Sequence, residues 1–271
     1  MNQKDESGKK EPNRRLFIIL AVIFGIALLV CLFLMGKDHL NRRQAEENFD
    51  KLSEQTVEPA ETDGTEENDI LSELGIEVPE KHLDWDAIRE ENADIYAWIY
   101  IPGTQVDYPV LQHPTEDDYY LDRNLDGSSG YPGCIYTQTI NGKEFRDPNT
   151  VLYGHNMGNG TMFGSLHDYA DNTFFEEHPY VYIYTPDGEV LVYEIFAAST
   201  FTDDHLLYNY DYSTEDGFSD YVSEITGVRD MNSHVRSDIS VEYGDFILTL
   251  STCIKNHPTE RWLVSAVLLN K

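Results

Sequence analysis

Basic residues are scarce in this chain: 19 Lys and Arg stand against 49 Asp and Glu in 271 residues, a formal charge of −30. Polyanions are bound by clustered cations that displace their counterions, so nucleic acid is excluded as a partner. Loose adhesion to anionic lipid or cell-wall polymer is excluded on the same ground. Cysteine is scarcer still, and Cys31, Cys134 and Cys253 do not make a disulfide scaffold. The nine histidines form no HExxH or CxxC-linked pattern, so no metal site and no cofactor is expected. Internal repeats and low-complexity tracts are missing from residues 81–271. What is present suffices for a core, with 41% hydrophobic and 12% aromatic residues.

The charge is unevenly spread, and its distribution divides the chain. Residues 1–15 form a short, basic-leaning N-terminal segment. Leu16–Met35 (LFIILAVIFGIALLVCLFLM) then runs without a charge. At 1.5 Å per residue it spans about 30 Å, the thickness of a bilayer core. A cleaved leader has an apolar stretch of about 7–15 residues and a small-x-small site. This run is longer and ends Leu34-Met35-Gly36-Lys37, so it reads as an uncleaved single-pass anchor in the cell membrane. The basic residues ahead of it put the N-terminus in the cytoplasm and the rest of the chain outside. Residues 36–80 read as a flexible acidic spacer, since Gln44–Glu80 carries thirteen acidic residues and one Lys. A short helix near Gln44–Gln55 is expected to continue from the anchor. Residues 81–271, with a net −22, form the folded domain.

That domain reads as mainly β. Asp84–Ala97 spaces Trp85, Ile88 and Ile95 as one helix does, and Ser213–Ile225 places Phe218, Tyr221, Val222 and Ile225 on one helical face. Short apolar or alternating runs bounded by turn residues predict strands at Val106–Leu111, Gly133–Thr137, Thr150–Tyr153, Tyr180–Thr185, Val190–Ser199, Asp245–Thr252 and Arg261–Leu269. Pro186-Asp187-Gly188 marks a hairpin between two of them. Many short strands with few helices point to a small closed or nearly closed barrel.

Two segments carry chemistry. Thr249-Leu250-Ser251-Thr252-Cys253 ends an apolar strand on a cysteine, and Arg261 opens the final strand. Upstream, Tyr153-Gly154-His155-Asn156-Met157 sets a histidine just past another strand. Thiol catalysis needs a thiolate, a proton carrier for the leaving amine and a donor for the oxyanion. Cys253, His155 and Arg261 match those needs in that order. Spacing alone leaves the bland alternatives open: an inert core thiol, a surface histidine and a solvated arginine.

Read together, Trp98-Ile99-x-Ile101-Pro102-Gly103-Thr104-x-Val106-Asp107-Tyr108-Pro109-Val110, Tyr119-Tyr120-Leu121, Tyr153–Met157, Met162-Phe163-Gly164-Ser165-Leu166, Thr249–Cys253 and Arg261 resemble the class B sortases of Gram-positive bacteria over about residues 83–271. The resemblance implies a closed eight-stranded β-barrel with added helices, held outside the membrane by an N-terminal transmembrane helix. It implies a cysteine transpeptidase that cleaves a C-terminal sorting motif of surface proteins and passes the acyl-Thr to an amine. Cys253 would be the nucleophile, His155 the proton carrier, Arg261 the holder of substrate and oxyanion, and Ser251 and Thr252 substrate contacts. The partners implied are a sorting-signal peptide and the amine of a peptidoglycan precursor. A pilin lysine as acceptor, or a thiol peptidase that only hydrolyses, is the alternative.

Some residues depart from the pattern or compete with it. Ile254 and Lys255 follow Cys253 where some class B members have an acidic residue, so no Asp is assigned to orient His155. His257 reads as a loop residue between Ile254 and Glu260. Cys134 reads as a small core residue rather than a partner for Cys253. Asn209-x-Asp211-x-Ser213-x-Glu215 has calcium-loop spacing but Thr214 where the turn glycine is needed, and reads as a solvated acidic loop. Ordinary pKa values give about 3% thiolate and about 24% imidazolium at pH 7. A bell-shaped pH profile is expected.

Overall fold

The computed structural model describes residues 14–53 and 69–271. The chain divides into two compact units at Gln44/Ala45. Helix α1 (Arg14–Ser53) contributes to both. In the first unit its apolar side chains are exposed, and it is long and apolar enough to cross a membrane. In the second unit Ala45, Phe49 and Leu52 are buried. Their spacing of four and three puts them on one helical face, where Phe49 meets the Tyr108 ring edge-on at 5.5 Å. Helix α2 (Asp69–Leu74) adds the buried Leu71. The folded unit therefore begins at Ala45, well ahead of the expected boundary at residue 81. Residues 54–68 of the expected spacer, and residues 1–13 of the N-terminal segment, lie outside the described residues.

Helix α3 (Trp85–Glu91) starts on Asp84, whose carboxylate accepts the Ala87 N–H. It stops well before Ala97, where the residue pattern had extended it. Asn92 turns the chain by accepting the Asp94 N–H, and Ile95 belongs to strand β1 (Ile95–Tyr100), buried along nearly its whole length. The apparent helical spacing of Trp85, Ile88 and Ile95 thus ran across two elements.

The remaining strands are β2 (Asp107–Leu111), β3 (Ile135–Tyr136), β4 (Asn149–Tyr153), β5 (Tyr180–Tyr184), β6 (Val190–Thr202), β7 (His234–Val235), β8 (Ile247–Ile254) and β9 (His257–Leu268). They follow the order β5-β1-β2-β3-β4-β8-β9-β6-β7, and β5 also pairs with β6. Eight strands accordingly close on themselves, with β7 attached outside the ring. Closure removes the open edges that would otherwise invite aggregation. The β5–β6 hairpin turns through Pro186-Asp187-Gly188, with Gly188 at a φ of +87° that suits glycine.

Three further α-helices lie among the described residues of the domain, α4 (Asn172–Glu177), α5 (Leu206–Asn209) and α6 (Glu215–Gly227), beside 3-10 turns at Tyr119–Leu121 and Gly164–Ala170. Helix α6 begins two residues later than the pattern suggested, because Thr214 serves as its cap and accepts the Gly217 N–H. Asp211 accepts from the Ser213 N–H and hydroxyl, so the calcium-like segment is the turn that leads into this cap.

Two features of this architecture set up the site. On β8, Leu248 and Leu250 belong to the main core, whereas Ile247 joins Phe218, Tyr221 and Ile225 of α6 in a second cluster outside the barrel wall. Side chains alternate along a strand, so Thr249, Ser251 and Cys253 share that outer face. Second, β4 and β8 are parallel, with Tyr153 level with Ser251. Both strands run toward the same rim, where His155, two residues past Tyr153, and Cys253, two past Ser251, border one cavity.

Candidate active site

Cys253 is exposed at the end of β8. A turn at Lys255-Asn256, with Asn256 at a φ of +65°, reverses the chain into β9. The expected loop over Ile254–Glu260 is thus mostly strand. Ile254 pairs with His257, yet Cys253 pairs with Arg261. The register breaks between them, and Pro258–Glu260 are accommodated as extra residues on β9. This irregularity brings Arg261 opposite Cys253, on the same face, with Cβ atoms about 5 Å apart by the geometry of antiparallel pairs. In this conformation Arg261 Nη1 donates to the carbonyls of Pro258 (3.0 Å) and Glu260 (2.9 Å).

His155 is half-buried, its Nε2 2.7 Å from the Leu121 carbonyl oxygen. A carbonyl only accepts, so Nε2 carries a proton and, in the neutral ring, Nδ1 is the basic nitrogen. The Tyr131 ring lies over the imidazole at 4.6 Å. Burial holds the His155 pKa below its ordinary 6.5, against the opposing pull of the Leu121 carbonyl and the Asp122 carboxylate. Among the described residues no carboxylate is hydrogen-bonded to His155.

Cys253, His155, Arg261, Ser251 and Thr252 all border one cavity of about 320 Å³. The segment that follows β6, from Asp203 to Leu206, also borders it. Thr252 is buried, and its Oγ1 donates to the Gly154 carbonyl at 2.8 Å. The Gly154 N–H in turn donates to the Ser251 carbonyl at 3.2 Å. The residue before the thiol and the residue before the imidazole are therefore joined directly. Gly154 is required there: a Cβ would lie 2.5 Å from Ile135 Cδ1 and 2.8 Å from the Phe163 ring. His257 does not border the cavity; it is exposed and paired with Glu260 at 2.8 Å. Cys134 is a free, buried thiol donating to the Arg123 carbonyl at 3.4 Å, and its burial pushes its pKa up.

Residues 99–269 match the family model for the sortase domain. Sortase B of Listeria monocytogenes is 33% identical over 186 residues, covering 68% of this chain and 73% of its own. Sortase B of Staphylococcus aureus is 26% identical over 258 residues, covering 94% of each chain. The chain belongs to the sortase family, in its class B. Among solved structures, sortase B of Bacillus anthracis in complex with AAEK1 superposes with a TM-score of 0.66 at 27% identity, covering 87% of this chain and 99% of that one. The Staphylococcus aureus sortase B–substrate complex does so with a TM-score of 0.65 at 26% identity, covering 85% and 99%. Sortases are cysteine transpeptidases, which makes this chain an enzyme of that kind.

In this sortase, supporting residues surround the three candidate groups without having been assigned a role from the residue pattern. The Phe163 N–H donates to the His155 carbonyl at 3.0 Å, and the buried Trp262 Nε1 donates to the Leu166 carbonyl at 2.8 Å. The Met162–Leu166 segment is thus a brace between the histidine loop and β9. Asn156 Nδ2 donates to the Cys253 carbonyl at 2.9 Å and also lies 2.9 Å from His167 Nε2. Leu121 supplies the histidine's carbonyl partner. Asn156 and Leu121 stand inside the motifs that carry the family resemblance, which was the available signal. His167 and Tyr131 gave none, because only the folded chain brings them near the rim.

Proposed function

We propose that this sortase is a membrane-anchored transpeptidase that cleaves the C-terminal sorting motif of a surface protein and transfers the acyl-Thr to an amine of a peptidoglycan precursor. The juxtaposition of Cys253, Arg261 and His155 around one cavity is the observation that supports it. The Cys253 thiol passes its proton to His155 Nδ1, the resulting thiolate attacks the carbonyl carbon of the motif's Thr, and the carbonyl electrons move onto oxygen. Arg261 stabilises that oxyanion and orients the peptide. As the tetrahedral species collapses, His155 gives its proton from Nδ1 to the departing amine, leaving a thioester on Cys253. The acceptor amine then attacks the thioester carbonyl, gives its proton back to His155, and expels the thiolate. Ser251 and Thr252 border the acyl-binding cavity as substrate contacts. The apolar stretch of α1 supports a single-pass anchor, with the catalytic domain outside the cell.

The test is cleavage of NPxTN-, LPxTG- and PPxTG-type peptides with and without an amine acceptor. The expected result is acyl transfer that dominates over hydrolysis when acceptor is present and vanishes in Cys253→Ala. Hydrolysis unaffected by acceptor would make the chain a thiol peptidase, and cleavage persisting in Cys253→Ala would overturn the mechanism.

A further inference from the structure

The main-chain carbonyl of Cys253 is held by side chains where the strand ladder stops. β4 and β8 run parallel, and the Ser251 carbonyl accepts the Gly154 N–H at 3.2 Å. Continued by two residues on each strand, the same ladder would hand the Cys253 carbonyl to the Asn156 main-chain N–H. β4 ends at Tyr153, however, and Asn156 instead forms an isolated antiparallel bridge with Met162. The Asn156 side chain takes over the bond, its Nδ2 donating to the Cys253 oxygen at 2.9 Å. A carbonyl only accepts, so the amide nitrogen and not its oxygen faces it.

His167, in the 3-10 turn Gly164–Ala170, adds a second nitrogen to the same oxygen. Its Nε2 lies 3.1 Å from the Cys253 oxygen and 2.9 Å from Asn156 Nδ2. A neutral Nε2 accepts the second N–H of the Asn156 amide, and a protonated Nε2 donates to the carbonyl itself. In both states the ring steadies the same group. The imidazole is stacked on the Trp262 ring at 5.8 Å and 23°. Trp262 in turn pairs with Thr252 and donates to the carbonyl of Leu166, the residue before His167. The imidazole and the nucleophile strand are therefore fixed to one indole.

We propose that Asn156 and His167 are positioning residues that clamp the Cys253 carbonyl and so hold the thiol at its working distance from His155. This carbonyl is bonded directly to the Cys253 Cα, so its orientation sets where the thiol emerges near the open end of β8. Asn156 also follows His155 in the chain, so one side chain ties the nucleophile strand to the histidine loop at the reacting residues themselves. The clamp rests on the Cys253–His155 reading above and adds what keeps that pair together. Cys253 is exposed at the rim, where water replaces a lost donor at little cost. The clamp therefore governs geometry more than stability, unlike the buried bond between Thr252 and Gly154.

Peptide cleavage, thermal melts and Cys253 alkylation on the intact chain in detergent make the test. Asn156→Ala should lower kcat by about tenfold while KM stays within about twofold, because small displacements of reacting groups are expensive. Its Tm should fall by less than about 2 °C, since water fills in for the amide. Asn156→Asp keeps the volume but sets an acceptor against the carbonyl, and should lower kcat as much; it carries the test if the alanine variant fails to fold. His167→Leu should cost about threefold in kcat, and His167→Gln, whose amide donates or accepts at the same reach, should return to within about twofold of the native rate. Alkylation by iodoacetamide, located by peptide mass spectrometry, reads the pair without substrate, because an imidazole that takes the thiol proton sustains the reactive thiolate. It should slow by about threefold or more in Asn156→Ala and in His155→Ala alike. Unchanged kcat in both Asn156 variants, a kcat loss that only tracks Tm, or alkylation slowed in His155→Ala but not in Asn156→Ala would overturn the clamp while leaving the transpeptidase intact. Native alkylation in His155→Ala would overturn the thiol–imidazole pair and the clamp with it. If none of the peptides were cleaved, the alkylation comparison alone would decide.

Discussion

Replacing Thr252 by Val tests the link between the two halves of the site. The substitution preserves shape but deletes the hydroxyl that donates to the Gly154 carbonyl at 2.8 Å in a buried setting. A buried carbonyl stripped of its donor costs about 1–3 kcal/mol. For a domain of this size, that corresponds to a fall in Tm of about 2–12 °C. Because Thr252 precedes Cys253 and Gly154 precedes His155, the same bond also holds the thiol and imidazole in register. A fall in kcat of about tenfold should therefore accompany the fall in Tm, since small displacements of reacting groups are expensive. Thr252→Ser, which keeps the hydroxyl, should restore most of both. Thermal melts and steady-state peptide cleavage on the three proteins make the comparison. An unchanged Tm in Thr252→Val would mean the bond contributes nothing. A lowered Tm with unchanged kcat would reduce it to a structural contact.

The pH dependence follows from His155. Its lowered pKa means the folded enzyme holds this proton less tightly than the unfolded chain, so its contribution to stability is present above about pH 6.5 and is lost as pH falls through the lowered folded value. The acid limb of kcat/KM should have its midpoint below 6.5; a midpoint above 6.5 would contradict the burial argument. Gly154→Ala should cost about 1–3 kcal/mol through overpacking against Ile135 and Phe163, and lower kcat by moving His155; wild-type melting would refute the close contact. Cys134→Ala should retain activity while Cys253→Ala abolishes it, and thiol-reactive reagents mapped by peptide mass spectrometry should modify Cys253 and spare the buried Cys134. Equal loss from both substitutions would undo the assignment of the nucleophile.

Much of the barrel was legible in the residues because alternation and turn chemistry are local. Pro186-Asp187-Gly188 announced its hairpin, and each of the seven expected strands has a counterpart. What failed was non-local. The spacing of Trp85, Ile88 and Ile95 mimicked one helix because Asn92 and Asp94 turn the chain at the place where the period happens to continue. Residues 45–53 looked like spacer from their charge, yet Phe49 and Leu52 are packed in the core. The pairing of Cys253 with Arg261 depends on Pro258–Glu260 being accommodated as extra residues on β9, which no strand period reveals. The arrival of His155 and Cys253 at one rim depends on a parallel register between strands far apart in the chain. His155 and Cys253 were visible as chemistry, but the carbonyls of Leu121 and Gly154 that position them are backbone groups, and backbone leaves no mark on residue type.

The most direct measurement is mass spectrometry of the enzyme mixed with a cleavable sorting peptide and no acceptor. A covalent adduct of the acyl fragment should appear on Cys253, decay on adding an amine with stoichiometric appearance of the amide product, and be absent in Cys253→Ala. An adduct on another residue, or turnover with no adduct at all under conditions that trap thioesters, would contradict the proposed chemistry.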